Sequence, residues 1–232
     1  MKTALFTTLA LLAGISSAHA ASNLIDVQFV GYNSYYQTGA ALTGNAGNSW
    51  NELTYGASNG TDALFYADKS ASDVSISYTA QNFWTAPAAS YQFAGTSYAN
   101  LMRTSIAGYG DGIQIDLTGL TAGHEYGFYV YTQGDNGSTG RSLDITANGK
   151  DVGTATQTNA NTFIEGDNYL YFTTFADSSG DIALDANTLN GEADINGFQM
   201  MPVPEPTSLP LIAAGLGALG VVSLRRRRAN AR

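Results

Sequence analysis

The 232-residue chain has no cysteine, and only 12% of its residues are charged, where a soluble domain typically carries about a quarter. The missing cysteine removes disulfides, thiol nucleophiles and thiolate metal sites together. Histidine is nearly absent as well: His19 and His124 are the only two, too few nitrogen ligands for a zinc or redox-metal centre. Lys and Arg number 10 against 19 Asp and Glu, a net of -9. Positions 21–201 hold only Lys69, Arg103, Arg141 and Lys150 against eighteen carboxylates, a net of -14. Such a body repels a phosphate backbone, because nucleic-acid affinity rests on Lys and Arg displacing counterions. A nucleic-acid partner is therefore excluded. Between 21 and 201 there is also no convincing run of helical period and no Gly-x-Ser-x-Gly nucleophile elbow.

In place of charge the chain has 26 glycines and 14 tyrosines, which with Asn, Ser and Thr predict a neutral, turn-rich, hydroxyl-rich surface. Gly, Asn, Asp and Ser clusters recur every ten residues or so, the spacing of an all-β sandwich or barrel. Strands are expected at 24–30, 49–55, 63–66, 74–78, 97–106, 112–117, 125–132, 142–147, 168–175, 181–185 and 194–201. Ile113, Ile115 and Leu117, like Leu143, Ile145 and Ala147, place apolar groups on one face at period two. Asn148-Gly149 signals a hairpin, since both residues accept positive φ. The threonines at 154, 156 and 158 read as a plain edge strand. One antiparallel β-sandwich at 21–201, with no internal repeat or linker, is the simplest architecture.

The two ends read as addresses. Lys2 precedes an apolar stretch at 4–15, and Ala18-His19-Ala20 offers a small-x-small cleavage site, together the pattern of a secretory signal peptide at 1–20. At the other end, Val203-Pro204-Glu205-Pro206 leads into an apolar run at 209–224 that stops at Arg225-Arg226-Arg227-Arg228. This reads as a spacer, a transmembrane helix and a stop held on the cytoplasmic side. That tail, 202–232, resembles the PEP-CTERM sorting domain of Gram-negative surface proteins. The resemblance implies an exosortase partner that recognises the Pro-Glu-Pro region. It also implies an inner-membrane-anchored intermediate, and then a place at the cell surface or in an exopolysaccharide and biofilm matrix.

Two further resemblances lie in the body. Leu120-Thr121-Ala122-Gly123-His124-Glu125-Tyr126 looks like the tyrosine corner of fibronectin-type sandwiches. The segments 141–149 and 193–200 are similar to strands of galactose-binding-like and malectin-like jelly rolls, which implies a jelly-roll-like sandwich, a scaffold that often binds sugars.

Chemistry is sparse. A Ser-His-Asp triad would have to use His124, which stands in the approach to the presumed tyrosine corner. A glycosidase pair needs two carboxyls roughly 5–10 Å apart, and no spacing singles out two. Most acids, including Asp62, Asp68, Asp111, Asp151 and Asp177, fall in turn signals where Asp bonds its own backbone. Calcium is the better metal expectation, with Asp135 and Asn136 as candidate oxygen ligands outside any EF-hand pattern. Aromatics beside Asn, Asp and Gln suit sugar rings, and Trp50, Trp84 and Tyr35 are the candidate glycan-binding residues. The sequence thus points to an exported, non-enzymatic surface or matrix protein that binds glycan. Its rivals are a secreted glycan-processing enzyme and a ligand-free adhesive protein.

Overall fold

The computed structural model describes residues 23–33, 35–54, 61–87, 93–135, 139–158 and 160–205. The signal-peptide residues Ala18 and Ala20, the loop residue Asn136, Pro206, the apolar run at 209–224 and Arg225, Arg226, Arg227 and Arg228 lie outside the described residues.

Fourteen strands and one short helix are described. A five-stranded sheet, in the order β11-β8-β14-β1-β2, contains β1 (Ile25–Val30), β2 (Asn51–Thr54), β8 (Glu125–Tyr131), β11 (Tyr169–Phe175) and β14 (Gly197–Pro202). A six-stranded sheet, β10-β9-β12-β7-β4-β3, contains β3 (Asp62–Phe65), β4 (Ala71–Thr79), β7 (Ile113–Thr118), β9 (Ser142–Ala147), β10 (Lys150–Thr156) and β12 (Ile182–Asn190). A third sheet, β13-β6-β5, joins β5 (Asn82–Thr85), β6 (Thr104–Gly108) and β13 (Ala193–Ile195). The protein is an all-β sandwich as the turn spacing predicts. It is not wholly antiparallel, because β2 runs parallel to β1.

Alternation builds the core. Ile113, Ile115 and Leu117 of β7 are buried while Gln114, Asp116 and Thr118 face out, and β9 buries Leu143, Ile145 and Ala147 in the same way. These side chains meet Val27, Phe29, Phe128, Val130, Phe198 and Met200 of the five-stranded sheet in one hydrophobic cluster. The β9–β10 hairpin turns at Asn148 (φ 50°) and Gly149 (φ 73°), the positive-φ pair that a two-residue hairpin requires. β10 is an edge strand, as the threonine spacing suggests. Asp68, Asp151 and Asp177 each accept the N–H two residues on, as expected of turn acids, whereas Asp62 opens strand β3 and its Oδ2 is buried without a hydrogen-bond partner among the described residues. Tyr126 makes the tyrosine corner, its hydroxyl accepting the Thr121 N–H at 3.0 Å.

Of three departures from the expected strands, two have identifiable causes. The strand expected at 97–106 is instead helix α1 (Ala99–Arg103) followed by β6. Leu101 and Met102 on α1 are buried with Trp50, Phe93 and Tyr131 on the outer side of the five-stranded sheet, a tertiary contact with no periodic signature. β5 has no counterpart among the expected strands. The strand expected at 194–201 divides at Asn196. β13 pairs with β6, whereas β14 pairs with β1 and β8. The buried Asn196 side chain holds this switch, donating to the carbonyls of Thr104 (2.8 Å) and Gln133 (2.9 Å) and accepting the Gln133 N–H (2.6 Å).

The outer face of the five-stranded sheet carries a second, polar layer. Asp26 is fully buried there, accepting from Asn48 and from Gln199, both at 2.8 Å. Gln199 Oε1 in turn accepts from the Tyr131 hydroxyl at 2.5 Å. Burial pushes the Asp26 carboxyl up to about 6, and the two amide donors only partly offset it.

Candidate functional site

The three-stranded sheet positions the principal site. On β5, Phe83 is buried and packs edge-on to Tyr78, so its neighbours Asn82 and Trp84 point the other way. Trp84 keeps 40% of its surface exposed. Just past the end of β6 stands Tyr109, also exposed, with its N–H donating to Gln81 Oε1 at 2.5 Å. The β12–β13 turn contributes Glu192 and β13 contributes Asp194. Arg141, just before β9, is bridged to both: to Glu192 by a close ion pair and to Asp194 Oδ2 at 3.2 Å. The stem of Arg141 passes over Gly191, where a Cβ would stand 2.9 Å from Arg141 Cγ.

Together Asn82, Trp84, Ala107, Tyr109, Asp135, Arg141 and Glu192 line a pocket of about 290 Å³, at the small end of the range for ligand pockets. Tyr109 hydrogen-bonds Glu192, and that bond with the nearby Glu192 charge pushes its hydroxyl pKa up, while Asn82 and Arg141 pull it back. Asp194 is fully buried beneath. Desolvation and the Glu192 charge raise its carboxyl to about 6, against the opposing pull of Arg141 and Gln157. Its Oδ1 has no hydrogen-bond partner.

The three expected sugar-binding aromatics separate. Trp50 is 3% exposed, packs against Phe93, Leu101, Met102 and Tyr131, and donates its indole N–H to the Gly39 carbonyl at 2.8 Å. A ring enclosed in this way has no face to offer a sugar, and Trp50 is corrected to a core residue. Tyr35 is half-buried, with the Arg103 guanidinium 3.7 Å from its ring centre, so one face is taken. Trp84 alone of the three lines the pocket. Asp135 lines it too. Among the described residues no group of three His, Cys, Asp or Glu side chains is placed to hold a metal. Asn82, Tyr109, Arg141 and Glu192 were not singled out by sequence. The only available signal was that Arg141, one of four body cations, needed carboxylate partners.

The sorting motif leaves the sandwich at its last strand. Pro202 ends β14, Val203 donates its N–H to the Glu125 carbonyl at 2.8 Å, and Pro204 and Glu205 follow. Glu205 Oε1 stands 3.6 Å from His124 Nε2 with both side chains well exposed, a surface pair worth at most about 1 kcal/mol. His124 thus stands beside Glu205 where the tail leaves the sandwich. Among the described residues no helix is long and apolar enough to cross a membrane.

A comparison with curated proteins gives no match. Among solved structures, a Bacteroides uniformis β-glucuronidase is 14% identical with a TM-score of 0.42, covering 67% of this chain and 16% of that one. The chain thus spans a small fraction of that enzyme's length. A family 35 carbohydrate-binding module from Clostridium thermocellum is 15% identical with a TM-score of 0.35, covering 54% of this chain and 90% of the module. CBM35 from Paenibacillus barcinonensis is 15% identical with a TM-score of 0.33, covering 55% and 93%. Residues 202–228 match the PEP-CTERM protein-sorting motif. The chain therefore joins a β-sandwich body to a PEP-CTERM sorting motif, which marks it as an exported protein.

Proposed function

We propose that this is a non-enzymatic cell-surface protein that binds glycan through the pocket at Trp84 and Tyr109. The observation that carries the reading is the exposed indole of Trp84 set beside an amide, a phenol and carboxylates. A sugar ring presents apolar C–H faces and directional hydroxyls, and such a set of groups meets both. The two carboxyls raised to about 6, Asp26 and Asp194, have no exposed surface. Neither reaches a glycosidic oxygen. Export through the signal peptide, a membrane-held intermediate on the apolar run at 209–224 and exosortase processing belong to the same proposal. Release into exopolysaccharide then follows.

Two experiments test it. Trp84→Ala lowers retention of the purified protein on its host's polysaccharide by about tenfold, the scale of one lost stacking contact. It also removes the tryptophan fluorescence that a soluble quencher reaches, leaving the shielded Trp50 signal. The retention is measured with and without calcium, because Asp135 opens the loop read as a calcium site; unchanged retention in Trp84→Ala removes the glycan reading. Separately, replacing Pro204, Glu205 and Pro206 by alanine leaves an unprocessed, membrane-held chain, and normal processing of that variant would count against exosortase recognition.

A further inference from the structure

The edges of the three sheets differ in how they are protected. We propose that the open edge of β11 pairs with the same edge of a second copy of this chain, antiparallel and across a two-fold axis at Thr173, joining two five-stranded sheets into one continuous sheet. This goes beyond glycan binding and uses no residue of the Trp84 pocket.

An unpaired strand edge invites pairing with another chain, and native edges are blunted by charge, bulges or shortness. The other edge strands follow that rule. β2, four residues long, carries Glu52, and β3, also four, carries Asp62 and an irregular register between Ala63 and Phe65. β10 carries Lys150, Asp151 and an irregularity between Asp151 and Gly153. β5 and β13, the edges of the three-stranded sheet, are four and three residues long. β11 has none of these devices: its seven residues include no charge and no proline, and its register against β8 is unbroken.

The main chain of β11 is open over a defined stretch. Thr132 donates its N–H to the Asn168 carbonyl and Ala176 donates to the His124 carbonyl, which puts the even-numbered residues in the hydrogen-bonded pairs with β8 and aims the odd-numbered N–H and C=O groups away from it. The Tyr169 carbonyl accepts the Gly166 N–H at 2.9 Å, and the Phe175 carbonyl accepts the Asn148 side-chain amide at 3.0 Å. Between these stops, the N–H and C=O groups of Tyr171 and Thr173 have no partner among the described residues. The stretch is self-complementary. With Thr173 opposite the partner's Thr173, Tyr171 faces the partner's Phe175, an aromatic cross-strand pair that the two-fold repeats and that closes as a dimer. Both rings are exposed on the outer face of the sheet, at 44% and 58%. Tyr171 is already held by the Tyr129 ring, 4.7 Å away, and by the space over Gly127, where a Cβ would meet its hydroxyl at 3.4 Å. Charge selects the same place. A body at -14 repels its own copies, but the groove of about 340 Å³ between β10 and the end of β11 sets Lys150 against Asp151. Glu125 on β8 is engaged by the Thr173 hydroxyl at 2.6 Å.

The chain has no cysteine, so a single introduced thiol reads the register directly. Thr173→Cys sets two thiols face to face with Cα atoms about 5.5 Å apart, within the span of a disulfide. The full chain is oxidised mildly in detergent, which covers the apolar run at 209–224. Thr173→Cys then forms a disulfide-linked dimer about tenfold faster than Thr118→Cys, an exposed position on the inner strand β7, because association brings the first pair of thiols together. Sedimentation equilibrium in density-matched detergent gives the second reading. The unaltered chain approaches twice the mass of one chain as its concentration rises to about 100 µM, above the dissociation constant of a micromolar contact. Thr173→Lys, which sets two like charges on the axis, keeps the mass of one chain and an unchanged far-UV circular dichroism spectrum. Equal cross-linking rates in the two cysteine variants overturn the proposal. So does a single-chain mass for the unaltered protein, and so does a doubled mass that survives Thr173→Lys, which assigns the association to another surface. Should Thr173→Lys fail to fold, the cysteine comparison decides alone.

Discussion

Gly197→Ala is expected to unfold roughly 10 °C below the unaltered protein. Gly197 opens β14 opposite Gln28 of β1, in the middle of the five-stranded sheet. A Cβ there would stand 2.1 Å from the Val27 carbonyl oxygen and 3.1 Å from both Gln28 Cα and Leu101 Cδ1. The first of these is a backbone atom of a central strand and has no rotamer by which to move away. Relief requires β1 and β14 to part, and they carry Val27, Phe29, Phe198 and Met200 into the core. Forced overpacking of this kind costs about 3 kcal/mol, and a domain of this size loses about 2–4 °C per kcal/mol. Because Asn196 stands next in sequence and holds the switch between sheets, the shift also reaches β13 and the pocket acids. Thermal unfolding followed by far-UV circular dichroism checks the value; a midpoint within about 2 °C of the parent, less than 1 kcal/mol on that scale, would show that the strands separate freely.

Acidification from pH 7 to about 4.5 is expected to raise the unfolding midpoint, by about 10 °C. Asp26 and Asp194 both have carboxyls pushed up to about 6 in the folded protein, chiefly by desolvation. In the unfolded chain they return to about 3.9. Between these values the folded state binds more protons than the unfolded state, so stability falls as pH rises through that window and is gained as pH drops. Each carboxyl contributes on the order of 2 kcal/mol over this interval, since every tenfold difference in proton affinity between the two states is worth about 1.4 kcal/mol. The opposing groups act lower. Asp68 and Asp177 are held below their ordinary value by hydrogen bonds from Ser70 and from Asp181 and Ser179, so their contribution is lost only as pH falls below about 4. Asp26→Asn removes one titration and should roughly halve the slope between pH 4.5 and 7. A midpoint that declines steadily from pH 7 to 5 would overturn the assignment.

Much of the local structure was legible. Asn148-Gly149 and the turn acids declare themselves because the conformation they favour is a property of two or three residues. The period-two strands β7 and β9 are legible for a similar reason: each has one face buried along its whole length. Legibility fails where a residue's partner is remote. Nothing near Leu101 and Met102 announces a helix, because what selects it is burial against Trp50, Phe93 and Tyr131. Trp50 and Trp84 were equivalent as aromatic residues among polar neighbours. The outer side of the five-stranded sheet is covered at Trp50, whereas Trp84 on the three-stranded sheet is left open.

The sequence by itself determined the sandwich class, the hairpin and tyrosine-corner turns, and the tail whose residues 202–228 match the sorting motif. These rest on backbone preference, short-range periodicity or a contiguous signal. Only the tertiary structure decided which tryptophan is exposed, where the final strand changes sheets, and that Asn82, Trp84, Tyr109, Asp135, Arg141 and Glu192 share one pocket. Those six residues are drawn from positions 82 to 192. Their convergence depends on long-range strand pairing, and no local window of the chain carries that information.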